Sequence, residues 1–138
     1  MPKQVLLDAV VEIAGQDLTN YVSQVELEYS YAEVDATTYG SGGAEELIGG
    51  LESGSVTFTF RNDYAPGALD EIMRGLVSRT PQTFAIRPNA GNVSTANPQY
   101  SGKILVNSWQ PIAGNVGDIA GTSRTYRKSG RLTISTST

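Results

Sequence analysis

The sequence contains no cysteine and no histidine. Without cysteine there are no disulfides and no thiol chemistry, an absence that says little about compartment. Without histidine there is no Ser-His-Asp triad, no Cys-His pair and no ordinary zinc site. An enzyme built on this chain has to work with carboxylates, lysine or hydroxyls alone. No apolar run approaches the roughly 20 residues needed to span a bilayer. The N-terminus, MPKQVLLDAVV, has one lysine and then a short apolar run broken by Asp8, too weak for a secretory signal.

Positive charge is nearly missing from the first 60 residues, where ten acids face only Lys3, a net of −9. The remaining residues carry nine bases against Asp63, Asp70, Glu71 and Asp118, a net of +5. Four of those bases, Arg124, Arg127, Lys128 and Arg131, lie within eight residues. The plain expectation is that the two halves intermix and the charges solvate or pair locally. The sharper one is a molecule with unlike-charged faces that stacks on copies of itself. A nucleic-acid groove fits less well, because net basic charge and interleaved aromatics are lacking.

What is present is β structure. The 138 residues, 39% hydrophobic and 17% charged, amount to one folded domain spanning 1–138. Seven tyrosines and abundant Gly, Ser and Thr favour strands and turns. Gln4–Ile13 reads as one or two short strands, and Asp17–Val22 as a helical turn with Leu18 and Val22 tucked inwards. Ser23–Val34 alternates: Val25, Leu27, Tyr29 and Tyr31 face one way, Gln24, Glu26, Glu28 and Ser30 the other. Ser55–Phe60 repeats that pattern with Val56, Phe58 and Phe60 inward. The period then changes. Leu69, Ile72, Met73 and Leu76 form a single helical stripe, Pro66 suits the first turn, and Pro81 stops the helix. Asp70 and Arg74 are placed to pair four residues apart. Strands follow at Thr83–Arg87 and Gln99–Gln110, the latter with Trp109 as a core or interface anchor. A closing pair, Ile119–Tyr126 and Arg131–Ser135, is expected to turn at Lys128-Ser129-Gly130.

The expected fold is therefore mainly β: an antiparallel β-sandwich or small barrel of seven to nine strands, one flanking α-helix over about residues 66–78, and a long early loop over about 34–50. That loop, VDATTYGSGGAEELIGG, is rich in glycine. Its GSGG lacks the Lys-Ser/Thr of a phosphate loop, and no cofactor is expected. A loop of this length points to function or to ordering against a neighbour. Its glycines make ordering it alone entropically costly.

Several segments together resemble the major tail tube proteins of long-tailed phages with non-contractile tails. In GQDLTNYVSQVELEYSYAEVDATTYGSGG the matching residues are Gly15, Asp17, Leu18 and Thr19, then Asp35, Thr37, Thr38, Tyr39 and Gly40. Gly50-Leu51 followed by SVTFTFRNDYAPGALDEIM is similar as well, as is the stretch from Ile86 to Gly130. Order and co-occurrence carry the likeness rather than any individual motif. The resemblance implies a sandwich or small barrel with a flanking helix, six-fold rings whose inner sheets merge around a lumen, and rings stacked into a tube. Such a tube encloses the tape-measure protein and conducts DNA without binding it specifically. It meets tail tip and tail terminator proteins at its ends. The protein would then reside in the virion tail after assembly in the host cytoplasm. The long loop would contact adjacent subunits through Asp35, Thr37, Thr38, Tyr39, Gly40, Glu45 and Glu46. Glu26 and Glu28 would face the lumen, where acidic side chains repel DNA.

Other readings remain open at this point. One is a minor tail or tail-completion protein, or the tube of an injection machine, on the same fold. Another is a carbohydrate-binding module stacking sugar on Tyr29, Tyr31, Tyr39 or Trp109. An enzyme would have to pair Asp63 with Asp70 or Glu71 as a carboxylate couple. Asp63 suits the strand–helix corner better, and Asp70 and Glu71 an exposed helix face.

Overall fold

Period-2 alternation needs a sheet with one covered face, and the chain supplies that cover by bending the sheet over itself. A computed structural model describes residues 9–136. The part of the first expected strand before Ala9 lies outside the described residues. The strands are β1 (Val10–Ile13), β2 (Gln16–Asp17), β3 (Val22–Asp35), β4 (Leu47–Arg61), β5 (Gln82–Arg87), β6 (Gln99–Ile104) and β7 (Gly121–Ser135), with one helix, α1 (Leu69–Leu76), between β4 and β5. All pairings are antiparallel, in the order β2-β1-β5-β6-β7-β4-β3. The sheet is not closed into a barrel, and β3 and β2 are its ends. Strand β3 nonetheless approaches the other half of the sheet. Val25, Leu27 and Tyr29 of β3 line one cleft with Ile86 of β5 and Tyr100 of β6.

The inward residues of both halves form one core: Val11 and Ile13, Val56, Phe58 and Phe60, Phe84 and Ile86, Ile104, Tyr126 and Leu132. Each fully buried aliphatic or aromatic side chain contributes about 1.5–3 kcal/mol of transfer free energy. Helix α1 lays its stripe on this core. Leu69 and Met73 are fully buried, and Ile72 and Leu76 are half-buried against it. The turn after β2 is a 3-10 turn at Thr19–Tyr21, with Leu18 buried beneath it. Asp17 accepts from the Thr19 amide at 2.9 Å and the Thr19 hydroxyl at 2.6 Å. Those two bonds, the hydroxyl's first, hold its carboxyl below the ordinary range.

The helix starts at Leu69, so Pro66 precedes it instead of sitting in its first turn. Three further expectations change. The closing hairpin does not form, because β7 is one strand that passes through Lys128-Ser129-Gly130. Gly130 takes a left-handed φ of 82°, and the Lys128 ammonium donates to the Gly130 carbonyl at 2.6 Å. The strand therefore kinks without reversing, pairing with β4 through Gly121–Arg127 and with β6 through Lys128–Ser135. That kink folds the sheet. Second, β6 ends at Ile104 instead of Gln110. The chain leaves the sheet there because Ser108 is pulled over the core, its carbonyl accepting from the Tyr126 hydroxyl at 2.8 Å. Third, Asp70 is buried instead of exposed, because the Trp109 indole donates to its carboxylate at 3.2 Å. The expected Arg74–Asp70 pair is present as well, at 3.1 Å.

Burial pushes the Tyr126 phenol up to about 12, against a smaller opposing pull from the Arg124 guanidinium. Between pH 10 and about 12 the unfolded phenol ionises while the folded one keeps its proton. The unfolded state then binds fewer protons, and stability falls as pH rises through that window. Tyr126→Phe is expected to remove an ionisation step near pH 12 from a spectrophotometric tyrosine titration and to flatten the alkaline loss of stability. At neutral pH it should cost about 1–3 kcal/mol in urea unfolding, because the Ser108 carbonyl loses its donor.

Candidate assembly surface

Strands β3 and β4 are far longer than the core they cover. Their pairing runs from Val22↔Phe60 out to Asp35↔Leu47, with register shifts near Val22 and near Tyr31. Strand β7 supports β4 only from Ser55 to Arg61. Beyond that point the two strands continue as a ribbon of two. The loop is correspondingly confined to residues 36–46, with strand on both sides of it.

The tip has its own bonds. The Thr37 amide donates to Asp35 at 2.9 Å, and the Glu46 amide donates to the Thr37 hydroxyl at 2.8 Å. Hydrogen bonding from Thr37, hydroxyl before amide, keeps the Asp35 carboxyl below its ordinary range. Thr38 and Ser41 exchange side-chain and backbone bonds around the short turn Tyr39–Ser41. Asp35, Thr37, Thr38, Tyr39, Gly40, Glu45 and Glu46 are thus gathered at one end of the molecule, with Tyr39 fully exposed. The ribbon below them also leaves large apolar side chains in solvent: Tyr31, Val34, Leu47, Ile48 and Leu51, the last 84% exposed.

At its root the ribbon is pinned to β7. Lys128 is completely buried along its side chain and meets Glu52 at 3.5 Å. Glu52 in turn accepts from the Leu132 amide at 3.3 Å. Gly54 makes room for this crossing. A Cβ there would fall within contact distance of the Glu28 carbonyl and 3.1 Å from Lys128 Cε. The sequence marked Lys128 as one of a basic cluster and as part of a turn, and gave no sign of its pairing with Glu52.

Where β3, β4 and β7 lie side by side, the face turned away from the core is polar. Glu26 lies beside Thr57, which lies beside Thr125; Glu28 lies beside Ser55, which lies beside Arg127. The Thr57 and Thr125 hydroxyls bond at 2.9 Å. Glu26 and Glu28 are exposed, so the face has an acidic column on β3, hydroxyls on β4, and Arg127 on β7.

The carboxylates considered for catalysis serve the strand–helix corner. Asp63 accepts from the Ala65 amide at 3.0 Å, its carbonyl accepts from the Asp70 amide at 3.1 Å, and Glu71 accepts from the Gly67 amide. Trp109 packs edge-on against Phe60 at 5.3 Å, so its ring is no open platform for a sugar. Among the described residues there is no cluster of three or more acidic metal-ligating side chains, and no helix is long and apolar enough to cross a membrane. The polar loop before β6 is organised by buried Asn97, whose amide donates to the carbonyls of Asn89, Gly91 and Asn92.

No protein-family model matches the chain, and no curated protein sequence matches it. Solved structures do. The fold is similar to that of a chain in the virion of a native gene transfer agent (GTA) particle, with a TM-score of 0.74 and 20% identity, covering 96% of this chain and 99% of that one. It is similar also to a chain in the tail of an empty GTA particle with C6 symmetry, with a TM-score of 0.65 and 20% identity, covering 94% and 95%. These likenesses span nearly the whole chain and show the fold, in agreement with the resemblance read from the sequence.

Glu52→Gln leaves the Lys128 ammonium buried without its counter-charge. It is expected to cost about 3 kcal/mol in urea unfolding, with most of the loss recovered in Glu52→Gln/Lys128→Met. Gly54→Ala should cost about 1–3 kcal/mol, because backbone must move to admit the methyl group.

Proposed function

We propose that the chain is a structural subunit of a phage-like tail tube, assembling with copies of itself into six-membered rings that stack around a lumen. The observation that carries this reading is the free edge of β3. A 14-residue strand stands at the end of the sheet, and its outer row of backbone groups has no strand beside it among the described residues. Such an edge is a template for another chain's strand. The polar face next to it is suited to a lumen wall: hydroxyls that leave no sticky apolar surface, and Glu26 and Glu28 to repel a sliding polyanion. The opposite face is the core, so a sheet extended around a ring presents this polar face continuously. The fold likeness to a chain in a C6-symmetric tail supports the ring number.

On this reading the tube encloses a tape-measure protein, meets tip and terminator proteins at its ends, and conducts DNA without specific contacts. The protein resides in the virion tail after assembly in the host cytoplasm. Its role is mechanical: Asp63, Asp70 and Glu71 are occupied in holding the corner between β4 and α1.

Negative-stain electron microscopy of the purified protein over a concentration series is expected to show rings or hollow tubes of uniform width. Monomers at every concentration, with or without tail-initiation proteins, would contradict the reading.

A further inference from the structure

We propose that the tip of the β3–β4 ribbon of one copy seats in a depression around Lys103 and Arg131 on a second copy of this chain; this rests on the tail-tube reading and names the surface that receives the ribbon. The depression lies where β5, β6 and the far half of β7 meet. Thr83, Ser101, Lys103, Ser129, Arg131 and Thr133 line it, and its volume is about 470 Å³. Its polar groups are hydroxyls and two cations, with no carboxylate among them. Neither Lys103 nor Arg131 forms an ion pair among the described residues. Both are exposed.

The tip has the opposite chemistry. Glu33, Asp35, Glu45 and Glu46 are exposed there, and no lysine or arginine occurs between Lys3 and Arg61. Val34, Leu47 and Ile48 lie between these acids, 43%, 48% and 57% exposed. An acidic end with an apolar middle matches a basic, hydroxyl-lined hollow, and such complementarity fixes register between partners.

The partner has to be another copy. The Leu132 amide bonds Glu52, which places Arg131 beside the root of its own ribbon. From Glu52 to Leu47 the paired strand runs five residues, about 17 Å at roughly 3.3 Å per residue, away from that root, and Glu45 and Glu46 lie beyond its end. The tip therefore cannot fold back to its own depression without unpairing the ribbon. Tip and depression are also different surfaces of one molecule. A contact between two different surfaces can be repeated head-to-tail, the kind that closes into rings or propagates into stacks.

Charge exchange tests this directly. One variant carries Lys103→Glu and Arg131→Glu; another carries Glu45→Lys and Glu46→Lys. Each alone places like charges together, and is expected to raise the assembly threshold at least about tenfold. An equimolar mixture pairs every tip with an opposite depression and should assemble near the native threshold. Circular dichroism and thermal melting check that both variants fold. Because the chain has no cysteine, Glu46→Cys/Lys103→Cys offers a second readout, an intermolecular disulfide ladder under mild oxidation of the assembled protein. Variants that assemble alone at the native threshold, a mixture that does not recover, or no ladder in assembled protein would overturn the proposal. If native protein assembles while these results fail, the tail-tube reading stands and only the receiving surface is wrong; if native protein never assembles, both fall.

Discussion

An unpaired strand edge is the constraint around which this molecule is arranged. Backbone N–H and C=O groups are obligatory hydrogen-bonding partners, and β3 leaves a long row of them unmatched by any neighbouring strand among the described residues. Proteins that remain single usually blunt such an edge with a short strand, proline, or inward charge. Strand β2, at the other end of the sheet, follows that rule with two residues. Strand β3 does the opposite. It is long and free of proline, and its outer half joins a ribbon with apolar side chains in water. The two ends of one sheet are thus treated differently, and the difference is what an interface with another copy requires.

The rest of the fold holds that edge in place. The kink in β7 bends the sheet so that inward residues from both halves share one core, and α1 caps it with Leu69 and Met73. The same kink brings the Lys128 ammonium under the ribbon, where Glu52 meets it. A buried ion pair is weak evidence of net stability, but breaking one is costly. Its physical effect here is directional. Glu52 is tied at once to Lys128 and to the Leu132 amide, so the ribbon leaves the body at a fixed angle. A projection of two strands with both flanks in water needs such an anchor to reach a partner without first losing entropy to ordering.

Much of this was legible in the sequence where a local period decides the outcome. Val25, Leu27, Val56, Phe58 and Phe60 announced their faces by alternation, and Leu69, Ile72, Met73 and Leu76 by helical spacing. The gathering of Asp35 through Glu46 at one end followed from the glycines between two strands. What could not be read were choices settled by distant residues. Lys128-Ser129-Gly130 has the composition of a turn, yet β4 and β6 each claim one half of the strand and keep it continuous. Asp70 looks like a surface helix residue until Trp109 arrives with an indole that needs an acceptor. Arg127 joins the face of Glu26 and Glu28 only through the register of β4 against β7.

Hydrogen exchange along β3, read residue by residue on dilute monomer and on assembled protein, shows whether copies of the chain join at this edge. In the monomer, every second amide of Val22–Asp35 should exchange rapidly, because it points away from β4, and residues 36–46 should exchange with it. In the assembled protein those same edge amides should become protected while the β4 amides change little. Edge amides already protected in dilute monomer, or still exchanging freely in assembled material, would show that β3 is not the edge on which copies of this chain join.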